Sequence, residues 1–156
     1  MKKTTRTGIA LSCFLVAAAA NGMTAQARDS KVHRLAIQVS SANPGVMQLA
    51  LNNAENVLTY YADRQEKARV EIVAFGPGLN MLRVSTSPVK NEIKSLFEQN
   101  MGDLRFSACH NTIEKVEKQI GHPVHILPQA KVVPGGVVRL MTLEGRGWAY
   151  IDATVK

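Results

Sequence analysis

The sequence predicts an α/β fold with a mostly parallel sheet and helices on both faces. Two observations lead to this prediction. Short apolar runs typical of buried strands alternate along the chain with longer segments in which apolar residues recur at helical spacing. Such alternation implies parallel strands joined by crossover helices. The sequence also contains no internal repeat, no low-complexity segment and no linker-like stretch, so we expect one domain.

The strand predictions rest on apolar runs bounded by turn residues. The first three runs read HRLAIQV, RVEIVAF and LRFSAC, and each is largely apolar. A last strand is predicted after the turn at Gly145 and Gly147, and a further short one within the proline-bearing segment 121–134. The predicted strands are 33–39, 69–75, 104–109, 131–133 and 148–152.

The helix predictions rest on apolar periodicity and on residues typical of helix ends. Asn43 is placed to cap the first helix, and Gly102 and Gly121 are placed to end the second and third. The turn Gly76-Pro77-Gly78 ends the second strand and leads into a short segment of helical character, 79–84. The longer predicted helices are 46–62, 88–100, 112–120 and 137–143.

Residues 1–27 have the layout of a secretory signal peptide. A positively charged start is followed by a short apolar stretch, residues 8–20, and by the cleavage signal Ala25-Gln26-Ala27. We expect a mature domain of residues 28–156 in a periplasmic or secreted location. The short apolar stretch disfavours an uncleaved membrane anchor, and the poor lipidation signal before Cys13 disfavours a lipoprotein. No later segment is apolar enough to span a membrane, so we expect no stable membrane insertion after cleavage.

Charge patterning argues against a nucleic-acid partner. Removal of residues 1–27 removes three basic residues and no acidic residue, so the formal net charge falls from +7 to +4. The remaining basic residues alternate with acidic ones and form no basic stripe with interleaved aromatic residues. A solvated surface explains these charges.

Cys109 is the single cysteine of the predicted mature chain. Exported proteins usually pair their cysteines, and a single one cannot form an internal disulfide. The residue is therefore an inert buried thiol, an intermolecular disulfide partner or a reactive group.

The position of Cys109 favours a reactive thiol. It lies at the carboxyl end of the third predicted strand, where open parallel sheets hold their ligand sites, and just before a predicted helix. The free N–H groups and the dipole of a helix start favour an anion, and such a place lowers the pKa of a thiol. His110 would add positive charge when protonated. The alternative is that Cys109 acts as a small buried hydrophobic residue.

Other candidate sites are less specific. The turn Gly76–Gly78 follows a strand, as phosphate-binding loops do, but it lacks the GxGxxG spacing. The segment Pro134–Gly136 precedes a predicted helix and allows close backbone approach. His122 and His125, taken with Cys109, lack an obvious fourth zinc ligand. We predict neither a metal nor a cofactor, and no Ser-His-Asp set is recognisable by spacing.

Four longer blocks of the sequence carry a further signal. They read ALNNAENVL, VEIVAFGPGLNML, LRFSACHNT and VVPGGVVRLMTLEGRGWAYI, at residues 50–58, 70–82, 104–112 and 132–151. In this order they resemble the DsrE/DsrF-like family, and in particular its exported branch of small single-domain proteins. The resemblance covers residues 33–152. It implies a small flavodoxin-like layered fold and a homo-oligomer, either a trimer or a hexamer.

The resemblance also implies a chemistry for Cys109. Better-known members of the family relay sulfur as a persulfide on a cysteine at the end of a central strand, and Cys109 matches that cysteine by position. Asn111 and Thr112 match the residues that follow it in the exported branch, whereas His110 stands where a smaller residue, often glycine, is expected. The implied activity is sulfurtransferase-like, and the implied partners are sulfur donors and acceptors, either proteins or small thiols.

We therefore expect a sulfur carrier that holds a persulfide on Cys109. The residues expected to stabilise the anion or shape the pocket are His110, Asn111, Thr112, Gly76, Gly78, Pro134 and Gly135. Two alternatives stay open. One is a binding module for a small anionic ligand or a nucleotide at the same strand ends, with Cys109 as packing. The other is an assembly protein that buries the apolar segment 132–143 in a subunit interface.

Overall fold

The computed structural model describes residues 32–154, and the predicted signal peptide lies outside this range. Within it, five strands alternate with four α-helices and one 3-10 helix. The strands are β1 His33–Val39, β2 Ala68–Ala74, β3 Leu104–Cys109, β4 Ala130–Val133 and β5 Ala149–Asp152. The helices are α1 Pro44–Ala62, the 3-10 helix Gly76–Leu82, α2 Lys90–Gln99, α3 His110–Ile120 and α4 Gly136–Glu144. No helix of the described range is long and apolar enough to cross a bilayer.

All five strands run parallel in the order β4-β3-β2-β1-β5. The first three crossovers each move the chain one strand outward, and right-handed connections place their helices on one face of the sheet. The fourth crossover returns across the sheet to the free edge of β1, so the same rule places α4 on the opposite face. The predicted α/β class, flavodoxin-like with helices on both faces, is therefore confirmed.

Two apolar clusters occupy the two faces of the sheet. The larger cluster lies under α1, α2 and α3, and its strand residues include the fully buried Ile37, Ile72 and Phe106. The smaller cluster lies under α4 and consists of Ala36, Val73, Leu140 and Leu143. Side chains alternate between faces along a strand, and Ser107 pairs in register with Val73. Ser107 and Cys109 therefore lie on the α4 face.

The predicted elements are largely confirmed, with ends that differ by up to three residues, and three of these differences concern how an element begins or ends. Gly76-Pro77-Gly78 is not a separate tight turn, because it forms the start of the 3-10 helix. Gly102 does not end α2, because Asn100 caps that helix and donates from its side chain to the carbonyl oxygen of Leu96 at 2.9 Å. The third helix begins at His110 instead of 112, since Cys109 takes the N-cap position.

Candidate functional site at Cys109

Cys109 lies at the carboxyl end of β3, beside a neighbouring strand whose following helix packs on the opposite face of the sheet. Strand β3 continues into α3 on one face, whereas its neighbour β4 continues into α4 on the other. Such a switch point opens a crevice at the carboxyl ends of the strands, and α/β proteins bind ligands there. The strand order thus places the thiol at the position in the sheet where a ligand site is most expected.

The starts of α3 and α4 converge on the sulfur of Cys109. Cys109 is the N-cap residue of α3, with extended backbone at φ −72° and ψ 117°, and Gly135 is the N-cap residue of α4. No side-chain hydrogen bond caps either helix, so their first N–H groups remain available to an anion. The two helix starts lie together, since a Cβ atom at Gly135 would lie 3.7 Å from Asn111 Nδ2, and the N–H groups of Asn111, Thr112 and Gly136 lower the pKa of the thiol.

The side chain of Thr112 connects the sulfur to the 3-10 helix. Its Oγ1 accepts a hydrogen bond of 3.0 Å from the backbone N–H of Gly76, and its hydroxyl lowers the pKa of the Cys109 thiol. Gly76 has a φ of +52°, in the left-handed region that favours glycine. The ends of β2 and β3 are therefore joined through one hydroxyl group.

These contacts set the pKa of the Cys109 thiol. Burial, which leaves only 5% of the residue exposed, raises the pKa because it disfavours the charged form. The Thr112 hydroxyl and the N–H groups of Gly136, Thr112 and Asn111 together outweigh burial, and the net pKa lies below the ordinary thiol value. A larger fraction of Cys109 is consequently thiolate at neutral pH than in a free cysteine.

Gly136 allows α4 to approach the site closely. A Cβ atom at this position would lie 2.7 Å from the Cβ atom of Phe75, nearer than side chains tolerate. A Cβ atom at Gly135 would meet its nearest neighbour, Val138 Cγ2, at 3.5 Å, which is ordinary contact. The close approach and the N–H donor thus both belong to Gly136, one residue after the predicted Gly135.

The other predicted pocket residues make their contacts elsewhere. His110 has an exposed side chain whose Nε2 lies 3.7 Å from Glu114 Oε1 on the surface of α3. Gly78 packs against the end of β1, where a Cβ atom would lie 2.1 Å from the carbonyl oxygen of Val39. Pro134 is exposed between β4 and α4.

A buried charged cluster beneath α4 was not predicted. Glu71 is fully buried in the middle of β2 and accepts two hydrogen bonds of 2.6 Å from the guanidinium of Arg139. The Ser107 hydroxyl donates to the same carboxylate at 2.6 Å. The hydrogen bonds from Arg139 to Glu71 raise the pKa of the guanidinium. The sequence did hold a signal, because a charged residue inside the run VEIVA requires a buried partner.

In the part of the chain that the structure describes, neither a cluster of metal-ligating side chains nor either of the two cavities named below includes the thiol. Within residues 32–154, no three His, Cys, Asp or Glu side chains lie close enough together to hold a metal ion. His122 and His125 follow the carboxyl end of α3, whereas Cys109 precedes its amino end. Cavities of about 210 and 320 Å³ lie between α1 and α2 and at the amino ends of β3 and β4. Cys109 lines neither of these two cavities.

Fold and site together define a small flavodoxin-like α/β protein in which a buried thiol, with a lowered pKa, lies at the switch point of the sheet. No protein-family model and no curated protein matches the sequence. Among solved structures, the chain is similar to MTH1491 from Methanobacterium thermoautotrophicum, a protein of unknown function, with a TM-score of 0.64 and 27% identity. The similarity covers 77% of this chain and 98% of that one. It supports the fold and assigns no function.

Proposed function

We propose that this protein is a sulfur carrier of the DsrE/DsrF-like type that holds a persulfide on Cys109. One observation carries the proposal: two helix starts without side-chain caps converge on a thiol whose pKa is lowered. A cysteine that served only as packing would need no such set of donors. The resemblance of the LRFSACHNT block to the family supplies the identity of the cargo.

The proposed reaction balances without an oxidant or a reductant. The Cys109 thiolate attacks the outer sulfur of a donor hydropersulfide, R–S–SH. A new S–S bond forms while the donor S–S bond breaks, and the donor leaves as the thiolate R–S⁻. An acceptor thiolate then attacks the outer sulfur of the Cys109 persulfide and releases the Cys109 thiolate. Each step exchanges one S–S bond for another.

The lowered pKa favours both steps of this cycle. In the first step the thiolate is the nucleophile, and a lower pKa raises its fraction at neutral pH. In the second step Cys109 is the leaving group, and a thiol of lower pKa leaves faster. The N–H groups of Asn111, Thr112 and Gly136 support the charged sulfur in the free state to which the cycle returns.

The proposed location decides which partners fit. If the predicted signal peptide directs export, sulfur donors and acceptors in the cytoplasm are out of reach of the mature chain. We therefore propose exported proteins or small thiols as the donor and the acceptor.

The test is intact-protein mass spectrometry of the mature chain after exposure to inorganic polysulfide, beside a Cys109→Ser variant. We expect the wild type to gain one or more sulfur atoms that cyanide and reductant remove, and we expect no gain in the variant. Circular dichroism verifies that the variant is folded. An equal gain in both proteins, or no gain in the wild type, would contradict the proposal.

The assembly alternative has an observation of its own in its favour. Three large apolar side chains of α4 are exposed, with exposed fractions between 56% and 66%: Val137, Val138 and Met141. Val132 of the edge strand β4 is also 53% exposed, and its register with Ala108 places it on the opposite face of the sheet. Exposed apolar groups gathered in one short segment are typical of an interaction surface. We propose that this surface forms a homo-oligomer, which is compatible with sulfur transport at Cys109.

A further inference from the structure

The buried carboxylate of Glu71 connects three elements around the thiol. It lies in β2, it accepts a hydrogen bond from Ser107 of β3, and it accepts two from Arg139 of α4, all at 2.6 Å. Both oxygens are therefore occupied, and the guanidinium binds in the two-point geometry that fixes orientation as well as distance. The cluster thus fixes the position of α4 relative to two neighbouring strands.

Two members of this cluster stand next to the thiol site in the chain. Ser107 precedes Cys109 by two residues and lies on the same face of β3. Arg139 follows Gly136 by three residues, which is less than one turn of α4. Any rotation or shift of α4 at Arg139 is consequently transmitted to Gly136, at the start of α4 that lies beside the start of α3, and the N–H group of Gly136 lowers the pKa of the thiol.

The Glu71–Arg139 ion pair is not needed for a high free energy of unfolding. Replacement of a buried ion pair by well-packed apolar side chains is often neutral or stabilising, whereas a two-point ion pair specifies one arrangement. The remaining apolar contacts of α4 come from a small cluster that includes Leu140 and Leu143. Apolar contacts of this kind hold a helix on a sheet without fixing its rotation to within a hydrogen bond.

We propose that the Glu71–Arg139 pair is a positioning device that holds the start of α4, and with it the Gly136 N–H group, against the sulfur of Cys109. Glu71 and Arg139 are positioning residues that act through Gly136. The inference deepens the proposed function and rests on it for its biological meaning.

Other charged groups near the thiol differ from this pair in their placement. On α3, His110 and Glu114 face each other at the exposed surface. On β4, Lys131 is exposed in register with Ser107. The 3-10 helix, of sequence GPGLNML, carries no charged side chain. In the part of the chain that the structure describes, Glu71 is thus the fully buried charged group on this face of the sheet, and the half-buried Arg139 is its partner.

The experiment measures the pKa of Cys109 from the pH dependence of its alkylation by iodoacetamide, using the mature chain. In Arg139→Met we expect the pKa to rise by about one unit, because one hydrogen bond to a charged group is lost, which means about tenfold less thiolate at neutral pH. Arg105→Met is the matched control, because Arg105 is an exposed arginine on the same face of the sheet. We expect the control to keep the wild-type pKa.

Arg139→Lys separates position from charge. Lysine keeps the positive charge and lacks the planar two-point geometry, so the proposal expects the pKa to stay raised. If Arg139→Met fails to fold, the double variant Glu71→Met/Arg139→Met replaces the pair with apolar side chains and is expected to fold with the raised pKa. A folded Arg139→Met or double variant with the wild-type pKa, or a lysine variant that restores it fully, would overturn the inference.

The outcome is independent of sulfur loading. A raised pKa in the variants, together with a wild type that takes up no sulfur, would leave the positioning role standing and remove the carrier function. An unchanged pKa in the variants, together with normal sulfur loading of the wild type, would remove the positioning role and leave the carrier function standing.

Discussion

Thr112 is the residue on which the thiol and its neighbouring helix both depend. Its hydroxyl accepts from the N–H group of Gly76 and lowers the pKa of the Cys109 thiol, so one group serves two elements. The Thr112 hydroxyl lowers the pKa of the thiol more than any of the three backbone N–H groups does. The reactivity of Cys109 is therefore set in large part by a residue three positions later in the chain.

Thr112→Val should raise the pKa of Cys109 by about one unit, because valine has the shape of threonine without the hydroxyl. The pH profile of alkylation should shift to higher pH, and the rate at pH values below the wild-type pKa should fall severalfold. Thr112→Ser should keep the wild-type profile, since it keeps the hydroxyl. Thr142→Val is the matched control, because Thr142 donates to the Val138 carbonyl oxygen on the exposed side of α4. A profile in Thr112→Val that coincides with the wild type would exclude this role.

At the residue scale, the sequence predicts the position of the thiol but not every residue that shapes its surroundings. Cys109 was predictable because strand end and helix start are local patterns within LRFSACHNT. Thr112 was predictable because it lies in the first turn of the same helix. Arg139 was not, since it pairs with Glu71 across 68 residues, and that pairing depends on which face of the sheet α4 covers.

At the element scale, the start of α4 packs closely against Phe75 because Gly136 has no side chain. Gly136 meets Phe75 so closely that a methyl group there has no room, whereas Gly135 has ordinary space and an extended backbone at φ −150°. Two adjacent glycines in VVPGG thus have different roles. One permits close packing of a helix, and the other is a replaceable N-cap.

Gly136→Ala should destabilise the protein by about 1–3 kcal/mol, the usual range for overpacking, and should raise the pKa of Cys109 because α4 must move away from the sulfur. Gly135→Ala should destabilise by at most about 1 kcal/mol, because alanine fits the native backbone but is a poorer N-cap than glycine. Urea denaturation and alkylation profiles of the two variants provide the comparison. Equal destabilisation by both substitutions would show that the contact with Phe75 does not decide the packing.

Element ends show why some boundaries were predicted and others were not. Asn43 caps α1 as its sequence position indicated, and its Oδ1 accepts from the N–H of Gly45 at 2.8 Å. Gly102 has the positive φ of +95° typical of a helix-ending glycine, yet it belongs to the turn before β3. A glycine signals a left-handed residue, and the sequence does not state which element that residue serves.

At the scale of the whole molecule, the alternation of elements predicts parallel strands but not their order. Strand β5 pairs with β1 at one edge, and β4 lies at the other. That return crossing sends α4 to the second face, creates the switch point at Cys109 and brings Arg139 over Glu71. Strand order depends on packing between distant segments. The sequence therefore predicts that the site lies at a strand end, but not which other elements meet there.

The same crossing leaves the outer side of α4 exposed, and we expect a second copy of the chain to cover it. Met141 has an exposed fraction of 66% and stands in the apolar segment 132–143, whereas Met101 is 73% exposed in the turn before β3. If the segment forms a homo-oligomer, a charge at Met141 would be buried without a partner, which is costly. A charge at Met101 would remain in water.

Met141→Glu should therefore sediment as a monomer at micromolar concentration, where we expect the wild type and Met101→Glu to sediment as larger species of equal size. Thermal unfolding of the isolated fold should change little in Met101→Glu, because exposed substitutions are usually within about 0.5 kcal/mol of neutral. A monomeric wild type would contradict the proposed oligomer directly. Equal dissociation by both methionine variants would place the interface outside the segment 132–143, since the two substitutions add the same charge and differ only in where they put it.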